Sequence, residues 1–280
     1  MDLSSQRPRI HFFKMHGGGN DFVLIDHRAR FIPEAEQPAL ARRLCHRQVG
    51  VGADGLILIE ASAAAHFRWR FYNADGSEPE MCGNGGRCAA RFAVLSGIAP
   101  ETLSFETVSG VIHAEVRGRR VKLALTGVGD FQLNQTIPLE EANVTGHFVR
   151  VGVPHLVVPV DDLEAAPVTE WGRLLRFHQM FQPAGANVSF VRFTGPENLS
   201  IRTYERGVED ETLACGTGSV AAALVGACLG RLSSPVEVLT RGGEILTVFF
   251  RPQSGACREV YLEGDALVVY QGELWLEELK

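Results

Sequence analysis

A repeated element, Cys-Gly-x-Gly, constrains this chain more than any other feature. Cys82-Gly83-Asn84-Gly85 and Cys215-Gly216-Thr217-Gly218 lie 133 positions apart, and at the same offset Ala89-Ala90 matches Ala222-Ala223 and Gly97 matches Gly230. Upstream, Arg70-Phe71-Tyr72-Asn73 is echoed by Thr203-Tyr204-Glu205-Arg206. Each copy reads in the same order: an alternating strand, a polar loop, the Cys-Gly-x-Gly element, then an alanine-rich helix closed by glycine. A fixed-period echo of this kind implies two similar halves of about 130 residues.

The remaining patterning is mostly β. Phe67–Tyr72, Thr102–Thr107, Val111–Val116, Val121–Leu125, Asn187–Phe193, Ile245–Phe250 and Glu259–Leu262 are short, rich in β-branched or aromatic residues, and bounded by Gly, Pro or Asp. Helical periodicity is clearest at 38–47, 84–96, 169–179 and 217–229. Consecutive strands with one long helix per half predict an α+β fold in which a curled, mainly antiparallel sheet wraps a central helix. A doubly wound parallel sheet would need regular strand–helix alternation, which is absent.

Composition narrows the function classes. The formal charge is −6 and the apolar fraction 45%, which speaks for a packed core and against nucleic acid or an anionic membrane as partner. The longest small and apolar run, Val220 to Gly230, is shorter than the ~20 residues that span a bilayer. The first residues lack a basic-then-apolar leader, so a cytoplasmic protein is expected. Six cysteines spread over the chain without any C-x-x-C predict reduced thiols, with neither a disulfide scaffold nor a common zinc knuckle.

A thiol placed just before Gly-x-Gly at a helix start occupies a special electrostatic position. Unpaired N–H groups and positive partial charge at a helix N-terminus lower a cysteine's pKa from its free value of about 8.5. The same N–H groups bind a carboxylate, and glycine lets the backbone approach it. One such cysteine would suggest a nucleophile. Two, related by an internal echo, suggest thiols on opposite faces of one bound carbon, hence racemisation or epimerisation. One thiolate removes the α-proton while the other thiol delivers a proton to the opposite face. Either cysteine alone reads more simply as a small buried hydrophobe. Cys45, Cys88, Cys228 and Cys257 have no such setting and are expected to be packed or incidental.

Four motifs taken together resemble one family. His16-Gly17-Gly18-Gly19-Asn20-Asp21-Phe22, Gly50-Val51-Gly52-Ala53-Asp54-Gly55, Tyr72-Asn73-Ala74-Asp75-Gly76-Ser77 with Met81-Cys82-Gly83-Asn84-Gly85-Gly86-Arg87, and Tyr204-Glu205-Arg206-Gly207 with Ala214-Cys215-Gly216-Thr217-Gly218 are similar, in order and spacing, to diaminopimelate epimerases. The resemblance runs from about Phe12 to the C-terminal strand. It implies a cofactor-independent, two-base interconversion of LL- and meso-diaminopimelate on the route to lysine and peptidoglycan. It also implies two pseudo-symmetric α/β domains with the small-molecule substrate between them, and a homodimer. The halves are then expected at 1–128, with 266–280 returning to it, and at 129–265.

Carried over residue by residue, Cys82 and Cys215 match the acid/base pair. Gly83-Asn84 and Gly216-Thr217 match the carboxylate-binding N–H groups, and Asn20, Asn73 and Asn187 match polar substrate contacts. Arg206 matches the partner of the distal carboxylate, a task suited to a bidentate fork. Glu205 and His155 match groups that assist the thiols and bind ammonium or carboxylate. Two positions depart from the pattern: Val153 stands where many members have Asn, and Gly55 where some have Gln. A pyridoxal-phosphate racemase would need a Schiff-base lysine; the chain has only Lys14, Lys122 and Lys280, none in a phosphate-binding setting. The alternatives left are a same-fold racemase for histidine or another basic amino acid, and a non-catalytic amino-acid-binding module.

Overall fold

The structure, a computed structural model, describes residues 9–79, 81–140, 142–253 and 256–275. The chain divides into two compact units, one running to Leu123 and resuming at Asp265, the other Ala124–Gly264.

In the first unit, strand Arg9–Gly17 pairs antiparallel with both Leu267–Trp275 and Asn20–Asp26. Asn20–Asp26 runs parallel to Gly55–Glu60, which pairs antiparallel with Phe67–Asn73. Phe67–Asn73 touches Thr102–Thr107 in parallel, and Gly110–Arg117 and Arg120–Ala124 complete the series antiparallel. Two helices cover this sheet. Helix α1 (Gln37–Cys45) sets Leu40, Ala41 and Leu44 against Val23, Ile25, Leu56 and Leu58. Helix α2 (Gly83–Leu95) sets Cys88, Ala89, Ala90, Phe92 and Ala93 against Phe22, Leu24, Ile57 and Ile59. Side chains alternate across a strand with period two, so Leu56-Ile57-Leu58-Ile59 feeds both layers and is buried throughout.

The second unit repeats that plan. Val153–Pro159 runs parallel to Asn187–Gly195, which pairs antiparallel with Asn198–Glu205. The registers correspond: Phe22 faces Gly55 in one unit where His155 faces Asn187 in the other, and Leu56 faces Tyr72 where Val188 faces Tyr204. Val128–Pro138 and Asn143–Val151 extend one side, and Val236–Leu239, Ile245–Gln253 and Ala256–Asp265 the other. Helix α3 (Val168–Arg176) packs outside, through Val168 and Leu175, on Val188, Phe190 and Tyr204. Helix α4 (Gly216–Cys228) lies inside, buried continuously from Gly218 to Gly226. A helix apolar on every side is stable in water only when enclosed.

The two inner helices end alike. Gly97 and Gly230 have φ of +66° and +71°. Their N–H groups reach the Val94 and Ala227 carbonyls, and the next residues, Ile98 and Arg231, reach Ala93 and Gly226. This double bond pattern closes a helix through a left-handed residue, where glycine carries no Cβ penalty. Each unit is therefore α+β, with one helix enclosed by a curled and mostly antiparallel sheet, as the sequence patterning leads one to expect.

Boundaries differ by one to three residues from those expected, as helix ends do. Helices α2 and α4 start one position earlier than their periodicity suggests. Helix α1 stops at Cys45 because His46 turns extended, with ψ 119°. Periodicity to residue 179 overruns α3, which ends at Arg176 before a separate 3₁₀ turn, Gln179–Phe181. The strands Arg9–Gly17, Asn20–Asp26, Gly55–Glu60, Val128–Pro138, Asn143–Val151 and Val153–Pro159 were outside the patterned runs. Asn20–Asp26, Gly55–Glu60 and Val153–Pro159 take part in parallel pairings and are buried in unbroken runs, so polar and apolar residues do not alternate cleanly there. Among the described residues no helix is long and apolar enough to cross a membrane.

Gly226 lies where α4 meets the loop beyond it. A Cβ there would stand 2.4 Å from Leu232 Cδ1 and 2.8 Å from Phe193 Cε1. Gly226→Ala is expected to destabilise the protein by about 1–3 kcal/mol through overpacking, despite alanine's better helix propensity. Urea denaturation checks this; an unchanged or higher midpoint would show that Leu232 yields freely.

Candidate active site

Each motif cysteine is the N-cap of the inner helix of its unit. Cys82 is extended, φ −142° and ψ 114°, and its Sγ accepts the Gly85 N–H at 3.4 Å. Cys215 is also extended, φ −117° and ψ 107°, with Sγ 3.7 Å from Thr217 Oγ1. The first amides of a helix have no intrahelical partner, so each sulfur sits level with donors and with the positive end of the helix dipole. Among the described residues a Cβ built on Gly83 meets nothing within 4 Å, so the backbone at Gly83 is open to an incoming group.

Glycine next to Cys215 has a different reason. A Cβ on Gly218 would lie 3.0 Å from Ser189 Oγ and 3.2 Å from Cys215 Sγ. Ser189 is buried and shares a 3.0 Å hydrogen bond with Thr203, so it cannot retreat without losing a partner. Gly218→Ala should displace the sulfur while leaving α4 folded. A misplacement approaching 1 Å costs on the order of 10²-fold in rate, and turnover normal to within a factor of two would show that the sulfur position is not critical.

In the first unit, Asn20 opens its strand with Oδ1 3.5 Å from Cys82 Sγ and Nδ2 donating to Asp54 at 2.7 Å. Asn84 accepts a 2.9 Å hydrogen bond from Arg87, a fully buried arginine that also donates to the Asp265 carbonyl. That bond occupies the Asn84 carbonyl and turns its NH₂ away. Asn73 donates to Ser77 Oγ at 2.9 Å, bracing the turn through Asp75. Asp54 and Arg87 had no assigned role in the sequence reading, although both lie inside the quoted motifs.

The second unit gathers His155, Asn187, Glu205 and Arg206. Asn187, nearly buried, accepts the Arg206 backbone N–H at 2.7 Å. The Arg206 guanidinium donates to the Ala184 carbonyl at 3.2 Å, leaving most of its fork available. Burial pushes the Glu205 carboxyl up against the lowering effect of the Thr212 hydroxyl, which donates to it at 2.9 Å. His155 is fully buried, and among the described residues neither ring nitrogen has a hydrogen-bond partner. Burial, aided by the Arg206 charge, takes its pKa down to about 3. A buried imidazole with two unused polar atoms is costly unless a ligand completes it.

That imidazole also governs acid stability. The unfolded histidine binds a proton near pH 6.5, the folded one only near 3. Below pH 6.5 the unfolded state therefore holds the extra proton, and stability falls by up to about 1.4 kcal/mol per pH unit as pH drops toward 3. His155→Leu should show a shallower acid limb in urea denaturation between pH 4 and 7. Parallel limbs would mean that His155 protonates without unfolding.

The other cysteines are poor candidates. Burial pushes Cys45 and Cys257 up to about 12 and raises Cys228, and Cys88 is enclosed in the first core. Lys14 is buried, ion-paired to Asp21 at 2.7 Å and bonded to the Gly52 carbonyl, which commits its ammonium. Lys122 lies in strand Arg120–Ala124, and Lys280 lies outside the described residues. Among the described residues no three His, Cys, Asp or Glu side chains are grouped to hold a metal.

Comparison with known proteins bears directly on this arrangement. The diaminopimelate epimerase family profile matches residues 12–130 and 147–268. The chain belongs to that family. A diaminopimelate epimerase of Aquifex aeolicus is 46% identical, covering 97% of this chain and 100% of the relative. One of Archaeoglobus fulgidus is 40% identical over 97% and 99%. Among solved structures, a Bacillus anthracis phenazine biosynthesis protein of the PhzF family superposes with TM-score 0.73 at 16% identity, covering 95% of this chain and 99% of the other. A hydroxyproline epimerase from Agrobacterium vitis gives 0.69 at 17%, covering 97% and 94%. These distant structures establish the fold. Membership of the epimerase family makes the chain an amino-acid isomerase, and both motif cysteines fall within the matched residues.

Proposed function

We propose that the chain interconverts LL- and meso-2,6-diaminopimelate by a cofactor-independent two-base exchange, with Cys82 and Cys215 as the acid/base pair. The observation that carries this reading is the duplicated N-cap: each unit offers one thiol at the start of its inner helix, beside unpaired amides. In one direction a thiolate takes the α-proton while the opposing thiol protonates the other face; in the reverse direction the roles exchange. Negative charge spreading into the α-carboxylate is met by the amides of Gly83-Asn84 and Gly216-Thr217. Stabilisation of this preorganised kind is usually the largest contribution to such a reaction.

Asn20, Asn73 and Asn187 supply polar substrate contacts. Arg206 takes the distal carboxylate. Glu205 and the neutral imidazole of His155 complete the ammonium and carboxylate contacts, which suits a half-buried carboxylate and two unfilled ring nitrogens. The two pseudo-symmetric halves thus contribute one thiol and one set of amides each. The same reading carries a homodimer, tested by light scattering of the purified protein, and a cytoplasmic location.

Proton NMR of the reduced protein with LL-diaminopimelate in D₂O, without added cofactor, tests the function. Loss of the α-proton signal with growth of the meso isomer is expected, and no exchange with histidine, glutamate or proline. Exchange of histidine instead would move the substrate to another amino acid on the same chemistry. Binding without any exchange would make the protein an amino-acid-binding module.

A further inference from the structure

Behind Asn20 lies a polar cluster with no part in the scheme above. Asn20 Nδ2 donates to Asp54 Oδ2 at 2.7 Å, and its Oδ1 lies 3.5 Å from Cys82 Sγ. A carboxylate only accepts, so Asp54 leaves the amide one orientation, nitrogen toward Asp54 and oxygen toward the thiol. Asp54 is itself held firmly. It accepts the Asp21 N–H at 3.2 Å and Arg47 Nη2 at 2.8 Å, and its own N–H donates to Asp21 Oδ1 at 2.9 Å. Asp21 pairs with Lys14 and Arg47; desolvation opposes its ionisation, but those cations win and hold its carboxyl at about 2. Arg87, on the helix of Cys82, is committed to Asn84 and the Asp265 carbonyl.

The position that matches Asn20 in the second unit is Val153, which opens the corresponding strand and carries no amide. Near the Cys215 sulfur stands Thr217, a hydroxyl that rotates to give or take a proton. The two thiols therefore stand in unequal surroundings despite the internal echo.

We propose that Asp54 is a positioning residue: it locks the Asn20 amide with its oxygen toward Cys82, so that the Cys82 S–H has a fixed acceptor and this thiol carries the proton in the resting enzyme. The proposal rests on the two-thiol reading, because only there does the proton inventory of Cys82 matter to turnover. An unlocked amide would turn its NH₂ to the sulfur and favour the thiolate instead.

The test is the pH midpoint of iodoacetamide alkylation, followed separately at Cys82 and Cys215 by peptide mass spectrometry on the full chain. Asp54→Ala removes the acceptor and should move the Cys82 midpoint down by about one pH unit, leave Cys215 in place, and lower kcat/KM about tenfold. Were the lost charge of Asp54 the cause, the midpoint would move without any amide, so Asp54→Ala is repeated in an Asn20→Ala background. There the shift should vanish. An unmoved midpoint in Asp54→Ala, or an equal shift with Asn20 already gone, overturns the proposal. Asn20→Ala alone leaves the Asp54, Arg47 and Asp21 cluster intact and should also lower the midpoint, so the idea remains testable if Asp54→Ala melts early. Alkylation needs no turnover, whereas full activity in Cys82→Ala would overturn the two-thiol reading itself.

Discussion

Cys82→Ala and Cys215→Ala will each abolish epimerisation in both directions while leaving a folded protein. A positioned proton-transfer group contributes on the order of 10²–10⁴-fold, and in the proposed two-base exchange neither half-reaction proceeds without both thiols. In that exchange one thiol accepts the α-proton and the other donates. The structural cost is small by comparison. Cys82 loses a cap bond to Gly85 N–H, which amounts to about 1 kcal/mol, and Cys215 loses a side chain next to Thr217. NMR assay of LL-to-meso conversion, with a melting curve for each variant, checks both parts. Near-normal turnover in either variant would refute the two-base mechanism.

On the role proposed for Arg206, Arg206→Met will remove recognition of the distal carboxylate. Truncating one member of a hydrogen-bonded charge pair costs about 2–5 kcal/mol, so kcat/KM for diaminopimelate should fall on the order of 10²–10³-fold. The backbone of Arg206 is fixed by Asn187 and is untouched by the change, which isolates the guanidinium. Its loss also removes a charge that helps keep His155 neutral. The preference for diaminopimelate over lysine, which lacks the distal carboxylate, should collapse in the same variant. An unchanged preference would take Arg206 out of substrate recognition.

Much of this arrangement is legible in the sequence. The 133-residue echo identified both inner helices, their closing glycines and the residues at their N-caps, because a helix start, an apolar face and a left-handed end each leave a local signature. Most candidate side chains are likewise visible through four ordered motifs, with His155 and Asn187 lying outside them. What local pattern hid was of two kinds. Strands Asn20–Asp26 and Gly55–Glu60 face packed helices on both sides, so the alternation that marks a half-buried strand is missing. Asp54 and Arg87 looked like ordinary charged residues. Asp54 acts on Asn20 from 34 positions away, and Arg87 is buried beneath Asn84 with its second partner 178 positions distant.

The division follows from the range of the forces. Helix caps, turn glycines and period-two or period-3.6 burial depend on residues a few positions apart, and one chain read linearly contains them in full. The hydrogen-bond partner of an amide, the neutrality of His155 and the need for glycine at 218 depend on which distant strand lies beside which helix. Those strands come together only when non-local pairing buries both faces of the sheet, and with that packing the orientation of Asn20 toward Cys82 is set.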